Sequence, residues 1–139
     1  MDDYEKVFGN KERIMVVFAH PDDAELYAGG TIARLIANGK RVRSIKMSSG
    51  GRGSRQEKIS EKDLTRAREE EDKKAMQTLG IRGEDNIYLH LRDGARENNM
   101  EVIEKLVYQV RKFRPEIIIT HNPEDMIIRW NKNEISNSH

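Results

Sequence analysis

The run Ile14-Met15-Val16-Val17-Phe18-Ala19 narrows the possible folds of this chain more than any other segment. It is apolar without interruption and has the length of a strand rather than a helix. Such a run suits a strand buried on both faces, the situation found in parallel sheets. Downstream of it the chain alternates between helix and strand patterns. Ile32, Leu35 and Ile36 fall at helical spacing within Thr31–Asn38, and Gly39 is placed to end that helix. Val42 to Met47 alternates apolar and polar and reads as a second strand.

A charged segment from Ser60 to Leu79 reads as a helix, with Ser60 or Asp63 as its cap and Gly80 at its end. Its apolar positions Leu64, Ala67, Ala75, Met76 and Leu79 make a narrow stripe, which predicts an outer helix. The mixed charges from Arg66 to Lys74 read as a solvated face. Ile87–Leu91 is a third strand, with His90 in a structural role. Asn98 or Asn99 starts a helix whose buried face is Val102, Ile103, Leu106, Val107 and Val110. Pro115 leads into Ile117-Ile118-Ile119, a fourth buried strand. Strand and helix in regular alternation predict an α/β fold with a mostly parallel sheet and right-handed crossovers. Ligands of such sheets bind at the carboxyl ends of the strands.

The 139 residues suit one domain, spanning 1–139. Residues 1–12 read as a loose polar arm. The pattern fails again in the irregular tail 126–139, where Met126-Ile127-Ile128 gives way to the polar stretch Asn131–His139. That tail predicts a fragment lacking its C-terminal part, or a segment that docks elsewhere. With 25 Lys plus Arg against 24 Asp plus Glu the net charge is +1, so no polyelectrolyte argument points to nucleic acid. No run approaches the roughly 18 apolar residues of a membrane span. The acidic start Met1-Asp2-Asp3 lacks a signal-peptide layout, and the cytoplasm is the expected location. A homo-oligomer is compatible with the sequence, which does not fix the oligomeric state.

The chain has no cysteine, so any metal must be held by His, Asp or Glu. One cluster has the right chemistry. His20-Pro21-Asp22-Asp23 places an imidazole and two carboxylates directly after the first strand, with Gly29-Gly30 a few residues on. His and Asp both bind zinc, and catalytic zinc sites use three protein ligands plus water. Residues at a turn point in different directions, so His20 and Asp23 can bind a metal while Asp22 stays free as a base. The plainer alternative has an Asp capping the next helix and His20 bonded to a loop carbonyl. The two glycines allow close backbone approach, or positive φ, beside a ligand.

Two further segments sit at strand ends. Ser49-Gly50-Gly51-Arg52-Gly53-Ser54 lacks the spacing of a phosphate-binding loop and reads as an ordinary loop, with Arg52 as a substrate contact. His121-Asn122-Pro123-Glu124-Asp125 comes after the fourth strand, which predicts His121 near His20. There it would contact substrate or orient a ligand, unless Asn122-Pro123 simply makes a turn. Trp130 suits either a sugar-stacking platform or a packing anchor.

Ala19-His20-Pro21-Asp22-Asp23-Ala24-Glu25 with Gly29-Gly30-Thr31-Ile32-Ala33 closely resembles the first motif of the LmbE-like family, also called PIG-L. That family comprises N-acetylglucosaminyl-phosphatidylinositol de-N-acetylases and their bacterial and archaeal relatives. Arg68, Glu71, Ala75 and Leu79-Gly80 match its Arg-bearing helix, Asp93-Gly94 its Asp-Gly turn, and Arg114–His121 the strand before its last catalytic loop. The resemblance spans roughly residues 14 to 125. It implies a Rossmann-like, three-layer α/β/α fold and one zinc ion; His and carboxylate ligands suit Fe²⁺ as well, and the sequence does not tell the two metals apart. It implies His20 and Asp23 as metal ligands, Asp22 as general base toward a zinc-bound water, and Arg68 and Asp93 as contacts to an amino-sugar substrate. The implied reaction is hydrolysis of the N-acetyl group of a glucosamine unit, releasing acetate.

The chain departs from the family at its second motif, which carries two histidines three residues apart. If His139 is the earlier one, it stabilises the tetrahedral intermediate and the third ligand is missing. If it is the later one, it is that ligand, and Ser136 occupies the earlier position. The departure leaves a second reading open, a non-catalytic or truncated α/β sugar-binding domain with an incomplete metal site. A nucleotide-binding domain is disfavoured, because Gly-x-Gly-x-x-Gly does not come after the first strand.

Overall fold

The structure, a computed structural model, describes residues 2–21, 23–48, 61–91 and 99–121, the side chains of 23–27, 61 and 99 excepted. Four parallel strands form one sheet in the order β3-β2-β1-β4: β1 Arg13–Phe18, β2 Arg41–Ser48, β3 Asn86–Leu91 and β4 Ile117–Thr120. The helices between them are α2 Asp23–Ala37, α3 Glu61–Leu79 and α4 Asn99–Phe113. The α/β alternation expected from the sequence is therefore the architecture observed.

The sheet buries apolar side chains on both faces, as the unbroken β1 run demands. Ile14, Val16 and Phe18 meet Ile32, Leu35 and Met76 on one face. Met15 and Val17 meet Ile45, Leu89 and Phe113 on the other, with Val102, Leu106 and Val110 of α4 packed against them. Helices α2 and α3 thus cover one face and α4 the other, which makes three layers. Gly39 at φ +80° and Gly80 at φ +98° lie just beyond the ends of α2 and α3, in the left-handed conformation that helix stops favour.

Four expectations need correction. The supposed loose arm contains α1, Asp3–Phe8; Asp2 caps it by accepting from the Glu5 N–H at 2.8 Å, and Phe8 is buried. Helix α2 starts at Asp23, well before Thr31, so Gly29 and Gly30 lie inside a helix and give no loop beside a ligand. The charged stretch of α3 is not solvated throughout, because Asp72 is fully buried. Ile103 and Val107, assigned to the buried face of α4, are exposed instead, together with Met100 and with Ile118 of the edge strand β4. Gln109 and Lys105 bond to Arg43 of β2 and the Leu89 carbonyl of β3. Helical spacing turns Met100, Ile103 and Val107 toward the opposite flank, the β4 side.

Candidate active site at the strand switch point

From β1 the chain moves outward through β2 to β3, then returns to add β4 on the other side of β1. Between β1 and β4 the direction of winding reverses. Open α/β sheets bind ligands just outside the carboxyl ends of strands at such a reversal. His20 lies just past β1 and His121 just past β4, so two of the four histidines sit at the place the topology favours.

The backbone before His20 is pinned on both sides. The Ala19 N–H donates to Nε2 of His121 at 3.2 Å, and the Ala19 carbonyl accepts from the Ser48 N–H at 2.8 Å. The His121 ring also meets Phe18 edge-on, with centroids 4.7 Å apart. Because Nε2 accepts, the neutral ring carries its proton on Nδ1. The His121 Nε2 lone pair is therefore directed at the His20 loop rather than at a metal. His20 itself is exposed, whereas Pro21 beside it is buried. A buried proline anchors the turn and leaves the imidazole accessible.

The other expected residues are spread more widely. Asp23 opens α2, with its side chain outside the described residues. Arg68 lies exposed in α3, toward the end of that helix that faces the carboxyl ends of the strands. Asp22, Arg52, Asp93, Trp130, Ser136 and His139 lie outside the described residues, as do the 49–54 loop and the 126–139 tail. Among the described residues no three His, Asp or Glu side chains converge as a metal site. The donor chemistry still suits a divalent cation: an accessible imidazole stands at a strand end with two carboxylates next in sequence.

Sequence reasoning missed a polar seam under α3. On that face β2 presents Ser44, Lys46 and Ser48, and β3 presents Asn86 and Tyr88. Lys46 and Asp72 are 0% exposed and pair at 2.8 Å. Tyr88 donates to the Asp72 carboxylate, and Lys46 donates to Asn86 Oδ1. Burial, then the bond to Asp72, pushes the Tyr88 phenol well above its ordinary value, so it remains a donor. The hydroxyls of Ser44 and Ser48 are buried with no hydrogen-bond partner among the described residues. An extra residue of β3 opposite Lys46–Ser48 breaks the register, and His90 there has φ +56° and bonds to Glu69 of α3. The adjacent polar residues Arg43-Ser44, which interrupt the alternation of β2, are a trace of the seam in the sequence.

Several known proteins are similar to this chain. A diacetylchitobiose deacetylase of Thermococcus kodakarensis is 29% identical over 117 residues, which cover 84% of this chain and 43% of that protein. The solved N,N'-diacetylchitobiose deacetylase of Pyrococcus horikoshii superposes with a TM-score of 0.77 at 28% identity, over 84% of this chain and 43% of that one. The 4-carboxy-2-hydroxymuconate hydratase of Pseudomonas putida superposes with a TM-score of 0.71 at 26% identity, over 81% and 49%. The chain thus spans under half the length of these proteins. Among the described residues no helix is long and apolar enough to cross a membrane. A match over residues 15–133 accounts for most of the sequence, and the chain belongs to the PIG-L family, described as GlcNAc-PI de-N-acetylase.

Proposed function

We propose that this chain carries the active site of a metal-dependent hydrolase that removes the N-acetyl group from an N-acetylglucosamine-containing substrate. The observation that carries the reading is the meeting of the His20 loop and His121 at the switch point, in a chain whose relatives include diacetylchitobiose deacetylases. His20 and Asp23 would hold the cation, zinc or Fe²⁺, which when bound supplies Lewis acidity and lowers the pKa of water. Asp22 takes the proton of the attacking water and delivers it to the leaving amine. His139, if it is the earlier histidine of its motif, stabilises the oxyanion. Arg68, Asp93 and Arg52 hold the sugar. His121 keeps the His20 loop in place from behind and contacts substrate only at its rim.

Acetate release from N,N'-diacetylchitobiose, with and without added zinc, tests the reading. The expected result is zinc-dependent release that Asp22→Ala abolishes while zinc binding persists. Loss of zinc in that variant would exchange the roles of the two carboxylates. Sugar binding without acetate release would instead support the sugar-binding domain with an incomplete metal site.

A further inference from the structure

The polar seam under α3 raises a physical question. Replacing a buried ion pair with apolar residues of similar volume is often neutral or stabilising, so stability alone does not account for Lys46 and Asp72. What a buried, hydrogen-bonded pair supplies in some proteins is a preferred arrangement, since a slip leaves charges unpaired. Helix α3 needs such a device. Among the described residues its apolar contacts to the core are Met76, Ala75 and Leu79, all in its C-terminal third. Before that third, the contacts seen among the described residues are polar: Asp72 to Lys46 and Tyr88, the Glu69 carbonyl to Tyr88 Oη at 3.5 Å, and the Glu69 side chain to His90.

Arg68 stands four residues before Asp72, one helical turn away on nearly the same face. A rotation of α3 that freed Asp72 would therefore carry Arg68 with it. We propose that the Lys46–Asp72–Tyr88 cluster fixes the rotation and height of α3 against the sheet, and so sets where Arg68 presents its guanidinium at the carboxyl-end face. Lys46, Asp72 and Tyr88 are positioning residues. The inference rests on the reading of Arg68 as a sugar contact only for its consequence in binding, and not for the placement of the helix.

The test compares wild type, Arg68→Ala, the paired apolar variant Lys46→Met/Asp72→Leu, and all three changes together. The paired variant avoids leaving one buried charge unmatched, which could unfold the chain. The chain has no cysteine, so Lys74→Cys places a single nitroxide on exposed α3. Its paramagnetic broadening of β2 and β3 amides reports where the helix lies. The paired variant is expected to stay folded but shift that broadening pattern. Arg68→Ala is expected to weaken N,N'-diacetylchitobiose binding about tenfold, the scale of one charge-assisted hydrogen bond. The paired variant should lose the same amount, and the triple variant no more. A wild-type broadening pattern in the paired variant overturns the proposal, and so does a triple variant in which the two losses multiply. If the pattern shifts while Arg68→Ala binds normally, or no form binds the disaccharide, the helix placement stands and the sugar-site reading falls.

Discussion

Asp85 is almost wholly buried where β3 begins, and it accepts from Arg41 at 3.0 Å and Arg43 at 3.1 and 3.2 Å. Arg43 is itself buried and lies over the Phe113 ring at 4.8 Å. Removing the carboxylate strands a buried guanidinium, so Asp85→Ala should lose about 3–5 kcal/mol in urea unfolding. His121→Phe retains an aromatic ring against Phe18 but leaves the Ala19 N–H without its acceptor. We expect a loss of about 1–3 kcal/mol, with amide shifts concentrated at Ala19 and His20. At this scale the sequence announced His20 and His121 through their places after apolar runs. It was silent on Asp72, whose neighbours are charged and exposed. Burial of a single carboxylate depends on a lysine 26 positions away, and no local pattern records that.

The helices and strands were largely legible because Gly39 and Gly80 mark stops, β1 and β4 are apolar runs, and β2 and β3 mix apolar with polar positions in strand-like spacing. The two glycines differ in what surrounds them. A Cβ on Gly80 would sit 2.9 Å from Cγ2 of Ile36, while one on Gly39 meets nothing within 4 Å. Both substitutions incur roughly 1–2 kcal/mol of left-handed strain, but only Gly80→Ala adds overpacking of about 1–3 kcal/mol. Thermal melting should therefore rank Gly80→Ala well below Gly39→Ala. The start of α2 and the existence of α1 were not legible. Gly29-Gly30 resembles a loop locally, yet the helix continues through it with Ile32 and Leu35 packed in the core. Helix α1 is too short to form alone and depends on Phe8 entering the core. The exposed flank of α4 was misread because Ile103 and Val107 carry apolar side chains at helical spacing, and spacing does not say which arc meets the sheet.

Across the whole molecule, opposite ends of the sheet respond to opposite extremes of pH. At the amino end Glu116 accepts from the Glu12 N–H at 2.8 Å and the Arg13 N–H at 3.2 Å, and these bonds lower its carboxyl pKa. A depressed folded value means stability present above the unfolded value, about 4.3, and lost as pH falls through the folded one. Glu116→Gln should flatten that acid-side slope. Near the other end Tyr88 is raised by burial and by Asp72. Its contribution is present below the unfolded tyrosine value, about 10, and is lost as pH rises beyond it. Tyr88→Phe should delay the alkaline decline seen by circular dichroism. The switch point also has a consequence in time. The bond from Ala19 to His121 closes a loop of 102 residues, whereas neighbouring β1 and β2 are joined through a single helix. Wide closures cost the most entropy and come late. A growing chain can pair β1 with β2 early, but the bond that holds the backbone before His20 waits for residue 121, so the candidate site takes shape only after most of its supporting sheet exists.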